Sequence, residues 1–201
     1  PGQTEMEEQE PDRQEEEHGE SVSYFARWTD RYKEAREYLY GTMEAEPHEE
    51  AAHEIMLEEA EQGNAYAMHD MGKIYAQGIG CEADKEKADV WYQKALAAMH
   101  YVEQKKRNTY LEYRIGKMYQ YGLGTDENLE QAAEWFSEAA AKEHKYALYS
   151  LGMLYLQGKG VEQDEETAYS LLFRSYSKGN PYAAYELGKL YETCLLYTSP
   201  S

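Results

Sequence analysis

Residues 48–54, HEEAAHE, set two histidines among carboxylates, the residue types of a zinc-protease helix. That chemistry needs histidines four apart, with a glutamate directly after the first. His48 and His53 are five apart, about 140° around a helix. They cannot share a face, so the segment reads as an exposed acidic helix. Gly78-x-Gly80 has the look of a phosphate loop, but a dinucleotide fingerprint also needs a third glycine and a preceding strand, and neither is there. Cys81 has no neighbouring base in sequence to lower its pKa, which argues against a nucleophilic role. The acids are dispersed, with no pair singled out, and read as solvated faces. No catalytic group, metal site or cofactor is expected.

One constellation has regular spacing. GKIYAQGIG at 72–80 returns as GKMYQYGLG at 116–124 and GMLYLQGKG at 152–160, and GKLYETC starts a fourth copy at 188. Six residues before the first glycine of each copy stand Tyr66, Tyr110, Tyr146 and Tyr182. Three before it stand His69, Tyr113, Tyr149 and Tyr185, and one after it Lys73, Lys117, Met153 and Lys189. These offsets are i, i+3, i+7, one helical stripe. Stacked copies would make two aromatic rows beside a broken lysine row, a candidate surface for a peptide or protein. The residues at the −6 position are the more structural; those at −3 and +1 are the better binding candidates. The competing reading is that the tyrosines only pack repeat against repeat.

The elements behind the stripe are helices. In 84–99, Ala88, Trp91, Tyr92 and Ala95 mark one helical face behind an N-cap at Asp84. Ala132, Trp135, Phe136 and Ala139 repeat that face after Asn128, and Ala168, Leu171, Leu172 and Ser175 after Asp164; Ala52, Ile55 and Met56 give a weaker copy. The helix before each glycine turn carries Met71 and Tyr75, Ile115 and Tyr119, Leu151 and Tyr155, Leu187 and Tyr191 on its apolar side. Gly72, Gly116, Gly152 and Gly188 are spaced 44, 36 and 36 apart, the longer step holding an insertion near YVEQKKRN at 101–108. Two helices and a glycine turn at such a period predict an all-α fold, an α-solenoid of helix-turn-helix repeats. The four in-helix glycines are each unfavourable by about 1 kcal/mol, which points to close helix approach. Gly78, Gly80, Gly122, Gly124, Gly158 and Gly160 end the first helices and turn the chain.

Composition narrows the function. The chain has 201 residues and a formal net charge of −19. That charge repels phosphate backbones and anionic bilayers, so neither nucleic acid nor membrane is expected as a partner. No apolar run is long enough to span a bilayer. Tyrosines number 21 against 3 phenylalanines, suited to half-buried or partner-binding surfaces. Residues 1–20 hold nine acids and almost no apolar side chain and read as an acidic disordered linker. The segments that follow are 21–63, helical and a degenerate first repeat, and 64–193, three full repeats and one truncated. Pro1 in place of Met makes the chain read as a fragment with something upstream.

The pattern Leu/Met-Gly-x-x-Tyr (Ile in the second copy), Gly-x-Gly, Asp/Asn, then Ala-x-x-Trp-aromatic-x-x-Ala resembles the Sel-one-like repeat, a relative of the tetratricopeptide repeat. The likeness covers residues 64–193, with an enlarged first linking segment and no Trp in the third copy. It implies a tetratricopeptide-like superhelix acting as a scaffold or adaptor for other proteins, without catalysis of its own, the tyrosine–lysine stripe lining the concave groove. WTDRYKEAREYLYG, the repeat spacing and the acidic linker also resemble the C-terminal repeat region of conjugative-element relaxases, which implies an alternative: a non-catalytic recruitment tail of a larger bacterial enzyme. The final CLLYTSPS is the translation of TGT CTC TTA TAC ACA TCT CCG AGC, which resembles the end of a transposase-based sequencing adapter. Residues 194–201 are therefore expected to be non-native, in keeping with a metagenomic fragment. Cys81 is then the one native cysteine, which favours a reducing, cytoplasmic compartment.

Overall fold

The computed structural model describes residues 23–198, with side chains to 193; the acidic linker 1–20 and the end of the CLLYTSPS tail lie outside the described residues. Nine α-helices make up the described chain: α1 Asp30–Tyr40, α2 Glu49–Glu61, α3 Ala65–Gln77, α4 Lys85–Lys105, α5 Thr109–Tyr121, α6 Leu129–Ala141, α7 Lys145–Gln157, α8 Glu165–Ser177 and α9 Pro181–Thr198. Among the described residues the one extended pairing is an isolated bridge between Phe25 and Asn64. Each of α1, α3, α5 and α7 packs on the helix after it, and each of those packs on the next pair. The molecule is an all-α helical-repeat solenoid.

The repeated residues make the repeated geometry. Gly78, Gly122 and Gly158 are left-handed caps, with φ of 68°, 63° and 63°, a region glycine enters without steric cost. The second helix of each pair then starts on an oxygen cap. Asp84, Asn128 and Asp164 accept the N–H of Lys87, Gln131 and Thr167 at 3.0, 3.0 and 3.1 Å. Their own N–H groups donate to the carbonyls of Tyr75, Tyr119 and Tyr155 at 2.8, 2.9 and 3.0 Å, tying the turn to the helix it leaves.

The in-helix glycines sit where the second helix drives a large side chain into the first. A β-carbon on Gly72 would fall 2.5 Å from the Tyr92 ring, on Gly116 2.6 Å from the Phe136 ring, and on Gly152 3.1 Å from Leu172. Close approach therefore offsets their low helix propensity. Gly80, Gly124 and Gly160 do more than turn the chain. A β-carbon there would meet the backbone of Glu49, Tyr92 or Leu129 within 2.4 Å. Each turn thus rests on the second helix of the preceding pair and sets the spacing between pairs. At Gly188 a β-carbon would meet none of the described residues within 4 Å.

The insertion near 101–108 lengthens α4, which runs on to Lys105 before a short link at 106–108. α4 has 21 residues where α6 and α8 have 13. The eight extra residues match the difference between the 44- and 36-residue steps.

Candidate functional site: the tyrosine face of the first helices

Helices α3, α5, α7 and α9 carry the stripe, and their caps fix its register. Asn64, Asn108 and His144 accept the N–H of Tyr66, Leu111 and Ala147 at 3.3, 3.0 and 3.2 Å. The buried Asn180 does the same for Tyr182 at 3.1 Å and donates to Ser175 Oγ at 3.0 Å.

The aromatic rows join diagonally. Tyr66 and Tyr110 meet edge to face at 5.5 Å, Tyr110 and Tyr113 at 6.5 Å, Tyr113 and Tyr146 at 6.2 Å, and Tyr149 and Tyr182 at 6.1 Å. Tyr113 and Tyr149, both at −3, thus touch the −6 tyrosine of the next repeat, whereas His69 lies against Tyr92 at 5.5 Å. Trp28 extends the line at its N-terminal end, 6.4 Å from both Tyr66 and Tyr110. The His144 ring is wedged beside Tyr113 at 4.8 Å.

Exposure along the −6 row rises steadily. Tyr66 is 2% exposed, Tyr110 half-buried, Tyr146 37% exposed and Tyr182 64%. Tyr66 is therefore packing, closed over by Trp28 and Tyr32. Among the −3 residues, His69, Tyr113 and Tyr149 are half-buried, and Tyr185 is 67% exposed.

The lysines of the stripe hold tyrosine hydroxyls or a carboxylate. Lys73 donates to Tyr40 at 2.8 Å and Lys117 to Tyr121 at 3.2 Å, whereas Lys189 pairs with Glu186 at 2.8 Å. The first two are positive charges without a carboxylate partner among the described residues.

Two positive groups escaped the sequence reading. Arg36 Nη1 donates to Asp70 Oδ2 at 2.9 Å, and Tyr32 donates to the same oxygen at 2.7 Å. Arg114, buried, donates to the Tyr110 hydroxyl at 2.9 Å and lies over the Tyr66 and Tyr110 rings at 5.4 and 5.6 Å. The signal was available: two residues before the repeat glycine stand Asp70, Arg114, Ser150 and Glu186, all buried. This is a polar row inside an apolar helix face.

Burial alone would raise the Asp70 carboxyl, but contact with His69 and the charges of Arg114 and Arg36 hold it well below the usual carboxylate range. Burial and Arg114 push His69 down, so its imidazole is neutral near pH 7. A carboxylate only accepts, so His69 Nδ1, 3.2 Å from Asp70 Oδ1, carries the proton.

The other sequence candidates are placed as follows. His48 caps α2, its Nδ1 accepting the Ala51 N–H at 3.3 Å, while His53 lies edge-on to Tyr75 at 5.6 Å. Among the described residues no His, Cys, Asp and Glu cluster could hold a metal ion. Burial pushes the Cys81 thiol up, away from nucleophile chemistry. No described helix is long and apolar enough to cross a membrane.

The Sel1 repeat profile matches residues 65–98, 110–144, 145–180 and 181–193, together more than half of the chain. The chain belongs to the Sel1 repeat family. The pair α7/α8 falls within one matched segment and α5/α6 within another save for Thr109; the first match takes in α3 and α4 only as far as residue 98, leaving the end of α4 outside it, and α9 opens the fourth. Among solved structures it is similar to a Sel1 repeat protein from Oxalobacter formigenes, at 29% identity and a TM-score of 0.54 over 80% of this chain and 44% of that one. It is also similar to c5321, a protective antigen of uropathogenic Escherichia coli with an SLR fold, at 27% identity and a TM-score of 0.54 over 82% of this chain and 33% of that one. The chain thus spans less than half of either relative. No curated protein matches it. Neither relative lends support to the relaxase resemblance.

Proposed function

We propose that this Sel1 repeat array is a protein-interaction scaffold that takes an extended or helical peptide along its first-helix face. Tyr113, Tyr149 and Tyr185 are its ring contacts, and Lys73, Lys117 and Lys189 its charge contacts. The observation that supports this best is the two runs of aromatic contact, Tyr110–Tyr113–Tyr146 and Tyr149–Tyr182, half-buried to exposed, beside lysines that hold only tyrosine hydroxyls at Lys73 and Lys117. In a chain of net charge −19, such cations are where a ligand carboxylate finds favourable potential.

Tyrosine suits the role because a rigid ring gives large contact area at low entropy cost, with a polar tip for hydrogen bonding. Aromatic anchors commonly carry about 2 kcal/mol or more of binding when truncated. Exposed lysines act more on association rate and salt dependence. The test is capture of a partner, then surface kinetics on variants, with circular dichroism to verify folding. Tyr149→Ala is expected to speed dissociation, and Lys117→Ala to flatten the salt dependence. Normal binding by Tyr149→Ala, or binding lost only through unfolding, would make the tyrosine line repeat packing alone.

A further inference from the structure

The scaffold reading leaves the extension of α4 without a role. Its eight additional residues carry the helix about 12 Å beyond the length of α6 or α8 at 1.5 Å per residue. This end bears Tyr101, Val102 and Lys105 and runs on into Lys106 and Arg107. Against it lies the extended segment 24–27. That segment is pinned to the α2–α3 junction: the Phe25 N–H donates to Gly63 O at 3.0 Å, the Ala65 N–H donates to Phe25 O at 2.7 Å, and Asn64 Nδ2 donates to Arg27 O at 2.9 Å.

Between segment and helix is a hollow of about 330 Å³. Its floor is apolar, with the buried Leu111 and the half-buried Phe25 and Val102; its exposed rim carries Tyr24 and Tyr101 and three cations, Arg27, Lys105 and Lys106. The Arg27 guanidinium lies over the Phe25 ring at 5.0 Å, and the Lys105 ammonium over the Tyr101 ring at 5.4 Å. Arg107 is occupied, by Glu103 at 3.7 Å and Glu138 at 3.4 Å. Among the described residues the three rim cations have no carboxylate within the 4.0 Å of an ion pair.

We propose that this hollow is a second docking site, separate from the tyrosine face, for a short protein segment that presents one large apolar side chain flanked by carboxylates. The apolar floor takes the side chain, and the three rim cations take the charges. The volume is at the small end of ligand sites, which run from about 300 to 1,000 Å³, so it fits a side chain and not a broad surface. The chemistry favours a peptide over a nucleic acid or a bilayer. A phosphate backbone or an anionic membrane extends past the three cations onto the acidic remainder of the molecule, beyond the roughly 8 Å over which salt screens charge. It also gains nothing from the apolar floor. Because segment 24–27 is already held by backbone hydrogen bonds, docking incurs little ordering cost.

The probe is a fluorescein-labelled peptide, GDEFEDG, titrated with the full chain and followed by fluorescence anisotropy. The wild type binds it, and rising salt weakens the complex. Lys105→Glu with Lys106→Glu reduces affinity roughly tenfold or more, as expected when two close charge pairs become repulsions. Replacing the phenylalanine of the peptide by serine reduces it about fivefold through lost apolar burial. Tyr149→Ala changes nothing. All three protein substitutions fall on side chains that are exposed or half-buried. Circular dichroism checks their fold, and Arg27→Glu stands in for the double variant should that one unfold. The proposal is overturned by no binding to the wild type, by equal binding to the charge-reversed variants, or by loss of binding in Tyr149→Ala. It is also overturned if deleting residues 1–20 raises affinity tenfold, which would make the chain's own acidic segment the occupant. Its failure leaves the tyrosine-face reading intact.

Discussion

A β-carbon added to Gly116 would stand 2.6 Å from a ring carbon of Phe136, and one added to Gly124 would stand 2.4 Å from the backbone of Tyr92 at a φ of +71°. The repeat glycines are therefore not equivalent, and alanine substitution should rank them. Gly124→Ala meets backbone that cannot turn aside, in a left-handed conformation, and should cost about 3 kcal/mol or more. Gly116→Ala meets a ring that can shift and should cost about 1–3 kcal/mol. Gly188→Ala meets none of the described residues and should be neutral or gain up to about 1 kcal/mol of helix propensity. Thermal melts of the three variants check the order, and equal midpoints would refute the packing account. A second single-residue effect is set by pH. Three of the first-helix caps at this position are Asn64, Asn108 and Asn180, and the fourth is His144, which accepts the Ala147 N–H through Nδ1. Burial, with Lys145, lowers the His144 pKa from 6.5. The unfolded chain then takes up the proton first, so this stability is present above about pH 6.5 and is lost as pH falls through the folded value. His144→Asn keeps the cap without titrating. Its advantage over the wild type should grow between pH 7 and pH 5 in paired denaturant melts, and an unchanged difference would rule this out.

At the scale of the helix pair, the sequence was informative wherever the repeat itself recurs. The glycines, the second-helix caps and the Trp91–Tyr92 and Trp135–Phe136 faces recur at fixed offsets, and each offset has one geometric job. What stayed hidden were contacts that cross between repeats. Periodicity shows that Gly80 ends a turn, but not that its α-carbon rests against the backbone of Glu49. It aligns the −6 tyrosines as equals, although Trp28 and Tyr32 close over Tyr66 and leave Tyr182 open. It shows an insertion at 101–108, but not whether the extra residues form a loop or lengthen α4. The Asp70 and Arg114 charges lie in the same register on α3 and α5 and were passed over because they are polar letters within an apolar face. Their coupling makes an element-scale prediction. Asp70→Asn and Arg114→Met should each destabilise, since each leaves a buried partner less compensated. The double variant should cost less than the sum by about 1 kcal/mol. Additive single and double variants in urea melts would mean that Arg36 alone balances Asp70.

Across the whole molecule, stability is not uniform. In a repeat array each unit is held by its neighbours, so a unit covered on one side opens first. Among the described residues α9 is covered by α8 on one side only: Gly188 has nothing within 4 Å of its β-carbon position, and Tyr182, Tyr185 and Tyr191 are 64%, 67% and 67% exposed. By contrast α3 and α5 lie between helices on both sides and bury Met71, Ile74, Leu111, Ile115 and Met118. Amide hydrogen exchange should therefore run fastest in α9, slower in α7 and slowest in α3 and α5. Equal protection of α9 and α5 would contradict that order. The same measurement bears on the tyrosine face, because Tyr185 and Lys189 belong to its proposed contacts and sit on the least protected helix. A partner lying along the whole face would have to order α9 as it binds, an entropic cost that weakens affinity while leaving a clear signature. Bound partner should then slow exchange in α9 by a larger factor than in α3. Protection confined to α5 and α7 would restrict the contact to Tyr113, Lys117 and Tyr149 and remove α9 from the binding surface.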